Sequence, residues 1–140
     1  SEEEAESFIA GYTILNDVTA RDMQSADFEL RNPWFRSKSM DTFCPIGPCI
    51  TLPDEISPLD ELDLELKVNG EVRQKSNTKQ LIFNVPELIE YISGLMTLMP
   101  GDVISTGTPE GIAPILPGDI VEATVEKIGT LTNYVRLAEE

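Results

Sequence analysis

Apolar and charged residues alternate between Leu62 and Val68. Leu62, Leu64, Leu66 and Val68 fall on one side of an extended chain, and Asp63, Glu65 and Lys67 on the other, which is the period of a half-buried strand. Asn69-Gly70 follows at once and supplies the positive φ angles of a type I′ turn, so Asp63 to Ser76 is predicted as a β-hairpin. Short runs of β-branched, aromatic or aliphatic residues predict further strands at Tyr12 to Leu15, Cys49 to Leu52, Val103 to Ser105, Ile120 to Val125 and Leu131 to Arg136. After Pro86 the period lengthens. Leu88, Ile89, Ile92, Leu95 and Met96 make one face, with Glu87 and Glu90 pointing outward, and this predicts a helix to about Ser93 with a buried apolar side. Ser1 is placed to cap a short acidic helix that Gly11 stops. Ser25 to Asn32 is polar and aperiodic and reads as a loop, and Pro33-Trp34-Phe35 brings the single tryptophan back towards apolar surroundings. The fold class that results is mostly β with one main helix (α+β), without the βαβ alternation of a nucleotide-binding fold.

A chain of 140 residues fits one domain, residues 1–140, with a core of its own. The formal net charge of −15 disfavours nucleic acid or an anionic membrane as partner. No apolar run approaches the roughly 20 residues of a membrane span, and no secretory leader pattern opens the chain, which points to a cytoplasmic location. The bases Arg21, Arg31, Arg36 and Lys38 nevertheless form a local group, which suits a small carboxylate ligand, although interspersed surface charge gives the same pattern. Cys44 and Cys49 flank Pro-Ile-Gly-Pro, a spacing that makes neither a redox pair nor a zinc site, and both read as small buried hydrophobes. Histidine is absent. Catalysis by a Ser-His or Cys-His pair within the chain is therefore excluded, and the candidates are carboxylates and lysine.

The chemistry concentrates between Gly11 and Gln24. Asp17 leaves the end of a predicted strand, and Arg21 and Gln24 lie three apart on a following helical turn, an arrangement able to hold a cation beside an anionic ligand. A solvated surface turn accounts for the same residues. Lys38 and Thr42 sit amid small polar residues, where the lysine is either a surface group or a point charge aimed into a pocket. Thr106 to Gly111 is a polar, Gly-rich loop whose backbone can approach a ligand closely.

Four segments together resemble the C-terminal catalytic domain of the fumarylacetoacetate hydrolase family. They are Gly-Tyr-Thr-x-x-Asn-Asp-Val-Thr-Ala-Arg-Asp-x-Gln from Gly11, Lys-Ser-Met-Asp-Thr-Phe-Cys-Pro from Lys38, Val-Asn-Gly-Glu-x-Arg-Gln from Val68, and Pro-Gly-Asp-Val-Ile-x-Thr-Gly-Thr-Pro-Glu-Gly from Pro100. The resemblance implies a mixed β-roll, a homodimer, and a Mg²⁺ or Mn²⁺ ion that stabilises the enolate of a small anionic 2-oxo or 2,4-dioxo acid. By the same resemblance Asp17 is a metal ligand, Lys38 a catalytic group beside the metal, and Arg21, Gln24, Thr42 and Thr108 bind substrate. The branch most similar is the 2-hydroxyhepta-2,4-diene-1,7-dioate isomerase of aromatic catabolism. Acylpyruvate hydrolase and oxaloacetate decarboxylase are the alternatives, and a non-catalytic β-domain is the reading from another class. The family's upstream Glu-x-Glu ligands and lid do not precede Gly11, so an upstream segment of the same protein is expected to supply them, and the isolated chain is expected to be inactive.

Overall fold

A computed structural model describes residues 1–138. The chain runs α1 (Glu2–Ala5), β1 (Tyr12–Leu15), α2 (Arg21–Glu29), β2 (Ile46–Thr51), α3 (Pro53–Ile56), β3 (Asp63–Val68), β4 (Glu71–Asn77), α4 (Val85–Leu95), β5 (Ile120–Val125) and β6 (Gly129–Tyr134), with short 3-10 turns between several of them. The mostly β, α+β class read from the sequence is the one observed. β1 and β2 form an antiparallel ribbon, and β4-β3-β5-β6 an antiparallel sheet. The ribbon packs on the β5-β6 side of the sheet. Between the two layers lie Ile14, Ile56, Leu62, Ala123, Ile128 and Leu131, each no more than 9% exposed, with Tyr12, Leu59, Leu66 and Val125 against them.

The hairpin forms as its alternation and turn require. Asn69 and Gly70 take φ of 53° and 80°, the two positive angles of a type I′ turn. The tip is also sewn to the neighbouring strand. Asn69 Nδ2 donates to Asp119 Oδ1 at 2.8 Å, Asn69 Oδ1 accepts from the Ile120 amide at 2.9 Å, and the Asn69 amide donates to the Ile120 carbonyl at 2.9 Å. Hydrogen bonds from the Leu116 amide and from Asn69 hold the Asp119 carboxyl below the usual carboxylate range.

Several sequence expectations are corrected. Ser25 to Glu29, read as the start of a loop, is helix, because α2 runs to Glu29; its inward residue is an acid rather than an apolar group, so no hydrophobic period betrays it. Residues 103–105 form no strand, since no ladder partner lies beside them and apolar composition alone cannot satisfy a strand's backbone. The α4 helix starts from an Asn84–Glu87 capping box and passes Gly94 to Leu95, yet none of its residues is buried and Tyr91 and Leu95 are exposed. Its main neighbour is the short α1, not a sheet, so its apolar face has little to cover it. Cys44 and Cys49 are both exposed free thiols, the second because β2 pairs on one side only and shows most of its residues to solvent. Trp34 and Phe35 are exposed as well; Trp34 stacks on Phe28 with ring centroids 6.3 Å apart.

Candidate functional site

The strand β1 delivers Asp17 two residues past its end. The Asn16 amide donates to the Pro45 carbonyl at 3.1 Å and the Val18 amide to the Asn16 carbonyl at 2.9 Å, which turns the chain so that the Asp17 carboxylate stands 44% exposed. Lys38, 21 residues later, lays its ammonium on Asp17 Oδ2 and donates to Thr19 Oγ1 at 3.1 Å. Thr19 in turn donates to the Asp17 carbonyl at 3.0 Å. An acid, a lysine and a hydroxyl thus meet at one strand end.

Lys38 arrives there because its own segment is clamped. Asp27, on the inner side of α2, is fully buried, and Arg36 meets it in a bidentate pair, with Nε at 3.0 and 2.8 Å from the two carboxylate oxygens and the NH2 nitrogen at 2.6 Å from Oδ1. The Ala20 amide donates to the Ser37 carbonyl at 2.9 Å, joining the start of α2 to the residue before Lys38. The hydrogen bond from Arg36, ahead of the opposing effect of burial, holds the Asp27 carboxyl below the usual carboxylate range. A depressed folded value means that this pair stabilises the fold above the unfolded value and that the contribution is lost as pH falls through the folded one. Arg36→Met should therefore lower the urea midpoint clearly at about pH 7, where it strands a buried carboxylate. The difference from wild type should narrow as the pH falls below the usual carboxylate range, where the paired Asp27 at last takes up its proton and the carboxyl stranded in the variant is already neutral. Urea titrations of both proteins from neutral pH down through the acid range check this; a pH-independent difference contradicts it.

The remaining predicted site residues fall into separate places. Arg21 and Gln24 pair with each other, guanidinium to side-chain carbonyl at 2.8 Å, on the first turn of α2. Thr42 is exposed and its φ is 69°, a left-handed conformation that costs a β-branched residue about 1–3 kcal/mol and is found at functional loops. Thr108 lies on the long segment between α4 and β5 and is held by Gln74 of β4, whose Nε2 donates to Thr108 Oγ1 at 2.8 Å. Among the described residues no hydrogen bond or ion pair joins Thr108 to the Asp17–Lys38 pair. Lys38 also lines an open cleft of about 630 Å³ together with Arg31, Trp34, Phe35 and Ser39.

The donor chemistry at the β1 end fits a hard divalent cation in part. Asp17 offers a solvent-accessible carboxylate, the oxygen ligand such ions prefer. Among the described residues, however, no three His, Cys, Asp or Glu side chains gather at one point, so Asp17 by itself offers one carboxylate and not a complete cage. Three participants escaped the sequence reading. Thr19 was recognisable only by standing two residues from Asp17, Asp27 by sharing a helical face with Met23 and Gln24, and Gln74 as the last residue of a quoted motif that had no role attached.

The model of the fumarylacetoacetate (FAA) hydrolase C-terminal family matches residues 1–136. The mitochondrial oxaloacetate tautomerase of Oryza sativa subsp. japonica is 48% identical over 124 residues, which cover 89% of this chain and 54% of that protein. The structure of 2-hydroxyhepta-2,4-diene-1,7-dioate isomerase from Mycobacterium marinum is 48% identical with a TM-score of 0.89, covering 97% of this chain and 51% of that one. Fumarylpyruvate hydrolase from Pseudomonas aeruginosa, solved in complex with Mn²⁺ and pyruvate, is 35% identical with a TM-score of 0.93, covering 99% of this chain and 59% of that one. The chain spans little more than half the length of these relatives.

Proposed function

We infer, because the chain belongs to the fumarylacetoacetate hydrolase family, that it forms the cation-holding and carboxylate-holding part of a divalent-metal-dependent enzyme acting on 2-oxo or 2,4-dioxo acids. The observation that carries this is the Lys38 ammonium set on the Asp17 carboxylate at the end of β1. Asp17 supplies one oxygen ligand for Mg²⁺ or Mn²⁺. A cation bound there polarises the 2-oxo group as a Lewis acid. Lys38, already within contact of that ligand, places a second positive charge where the substrate oxygen turns negative during reaction, and a charge fixed in advance costs no reorganisation at that moment. Arg21 and Thr108 are donors suited to a substrate carboxylate, the first by its planar fork and the second by its hydroxyl. Gln24 orients the Arg21 fork through their hydrogen bond, and Thr42 presents its hydroxyl from a constrained loop.

The reaction favoured is that of a 2-hydroxyhepta-2,4-diene-1,7-dioate isomerase, supported by the structural likeness to the mycobacterial enzyme of that name. Oxaloacetate is the second substrate reading, supported by the rice relative, and acylpyruvate hydrolysis the third, supported by the fumarylpyruvate hydrolase. Assay of the native protein with Mn²⁺ against the heptadienedioate, oxaloacetate and an acylpyruvate tests the set. Turnover of one of them, abolished by exhaustive chelation and restored by Mn²⁺, is expected. Undiminished turnover after chelation removes the metal-dependent reading. No turnover together with no Mn²⁺ binding at about millimolar concentration, the weak end of the range for divalent-cation sites, leaves the chain as a binding domain.

A further inference from the structure

The segment that carries Thr108 touches the sheet where β4 is irregular. In the β3-β4 ladder Leu66 faces Gln74 but Lys67 faces Val72, so Arg73 is the extra residue of a β-bulge, a device that re-aims neighbouring side chains. The carbonyl of Arg73 meets Gly111: a Cβ built on that glycine, whose φ is +105°, would lie 2.0 Å from the Arg73 oxygen. Only glycine lets the two backbones come this close. The next side chain, Gln74, then reaches both Thr108 Oγ1 at 2.8 Å and the Pro109 carbonyl at 2.7 Å through its Nε2.

These contacts settle which way each hydrogen points. The Pro109 carbonyl can only accept, so the amide nitrogen of Gln74 and not its oxygen must face it, and the two amide hydrogens serve Pro109 and Thr108. Thr108 Oγ1 is therefore an acceptor towards Gln74. Its own hydrogen is left to donate elsewhere, and a hydroxyl that is accepting is the more polarised as a donor.

We propose that Gln74 is a positioning residue that commits the Thr108 hydroxyl to donate to a carboxylate oxygen of an oxo-acid ligand, with the Arg73 bulge and Gly111 setting the loop at the distance this requires. The proposal rests on the reading of Thr108 as a substrate-carboxylate group. Native protein loaded with Mn²⁺ is titrated with oxalate, and KM and kcat are measured for the substrate it turns over, in Gln74→Met, Gln74→Glu, Thr108→Val and the Thr108→Val/Gln74→Met double variant. Gln74→Met is expected to weaken oxalate roughly 10-fold and to raise KM by a similar factor with kcat within about twofold, the signature of lost ligand binding. Gln74→Glu, the same shape but acceptor-only and negative, should be worse, because it takes the Thr108 hydrogen for itself. The double variant should bind no more weakly than Thr108→Val alone, since the two residues act as one unit.

Wild-type oxalate affinity and KM in Gln74→Met overturn the proposal. So do full additivity with Thr108→Val, or equal losses in Gln74→Met and Gln74→Glu that follow a lowered thermal midpoint, which is what a purely structural role gives. Unchanged affinity in Thr108→Val removes the reading beneath it and overturns the proposal with it. Mn²⁺ affinity in the same variants reports separately on the metal part of the proposed function.

Discussion

Asp17→Ala is expected to lower Mn²⁺ affinity by roughly 100-fold or more and to abolish turnover, while leaving the fold intact. The metal effect should be large because, in the proposed site, Asp17 is the single carboxylate this chain would offer, and a hard cation gains most from a charged oxygen that is already in place. The structural effect is small because the Asp17 side chain is 44% exposed, outside the core cluster, and a partly exposed ion pair contributes little to stability. Lys38→Met makes the informative contrast. It removes the ammonium that competes for the same carboxylate oxygen, so Mn²⁺ binding should persist or strengthen even as turnover falls. Calorimetric Mn²⁺ titration of the wild type and both variants, with circular dichroism as the check on folding, measures this. Equal Mn²⁺ binding in wild type and Asp17→Ala would place the metal elsewhere.

The largest loss of stability is expected from Leu62→Ala, at about 2–5 kcal/mol. Leu62 is 2% exposed and lies in the cluster that joins the β1-β2 ribbon to the sheet. Its backbone is held on both sides by Thr78, through Leu62 amide to Thr78 Oγ1 and Thr78 amide to Leu62 carbonyl, each 2.9 Å. The surroundings therefore cannot collapse readily into the space left. A domain of this size is stable by only about 5–15 kcal/mol in total, so such a loss consumes a large share of it. Ile128→Val, which removes one methylene from the same cluster, should cost about 0.5–1.5 kcal/mol. Urea midpoints at unchanged slope order the two variants; a Leu62→Ala midpoint close to wild type would show that the inter-layer contact is not the principal core.

What the sequence revealed of the fold follows from where local pattern and tertiary packing agree. β1 and β5 were legible from their β-branched, aromatic and aliphatic residues and the Asp63–Ser76 hairpin from a period of two and an Asn-Gly turn, all of which act at short range. Of the helix α2 only the first turn was legible, since Arg21 to Glu29 carries no apolar stripe and its buried residue, Asp27, is stabilised by a guanidinium nine residues on. The apolar face of α4 was read correctly as a face and wrongly as buried, because periodicity shows which side of a helix is apolar and says nothing about whether another element lies against it. The site divides in the same way. Asp17 and Lys38 stood out separately and took their roles from a resemblance between motifs, and no spacing of 21 residues could have told that they touch. Gln74 stood inside a recognised motif, yet its partners Thr108 and Pro109 lie more than thirty positions away, a distance that only the bulged edge of the sheet closes.

The tip at Asn69 has a consequence for anyone altering this protein. Reverse turns between paired strands are ordinarily the places where a chain accepts a tag, a longer connection or a swap among Asn, Asp and Gly. Here the asparagine amide is also the clasp that ties the tip to Asp119 and Ile120, so glycine or aspartate, though equally at home in the turn, would unfasten it. The outermost point of the hairpin is thus a fixed joint of the sheet, not a spare loop.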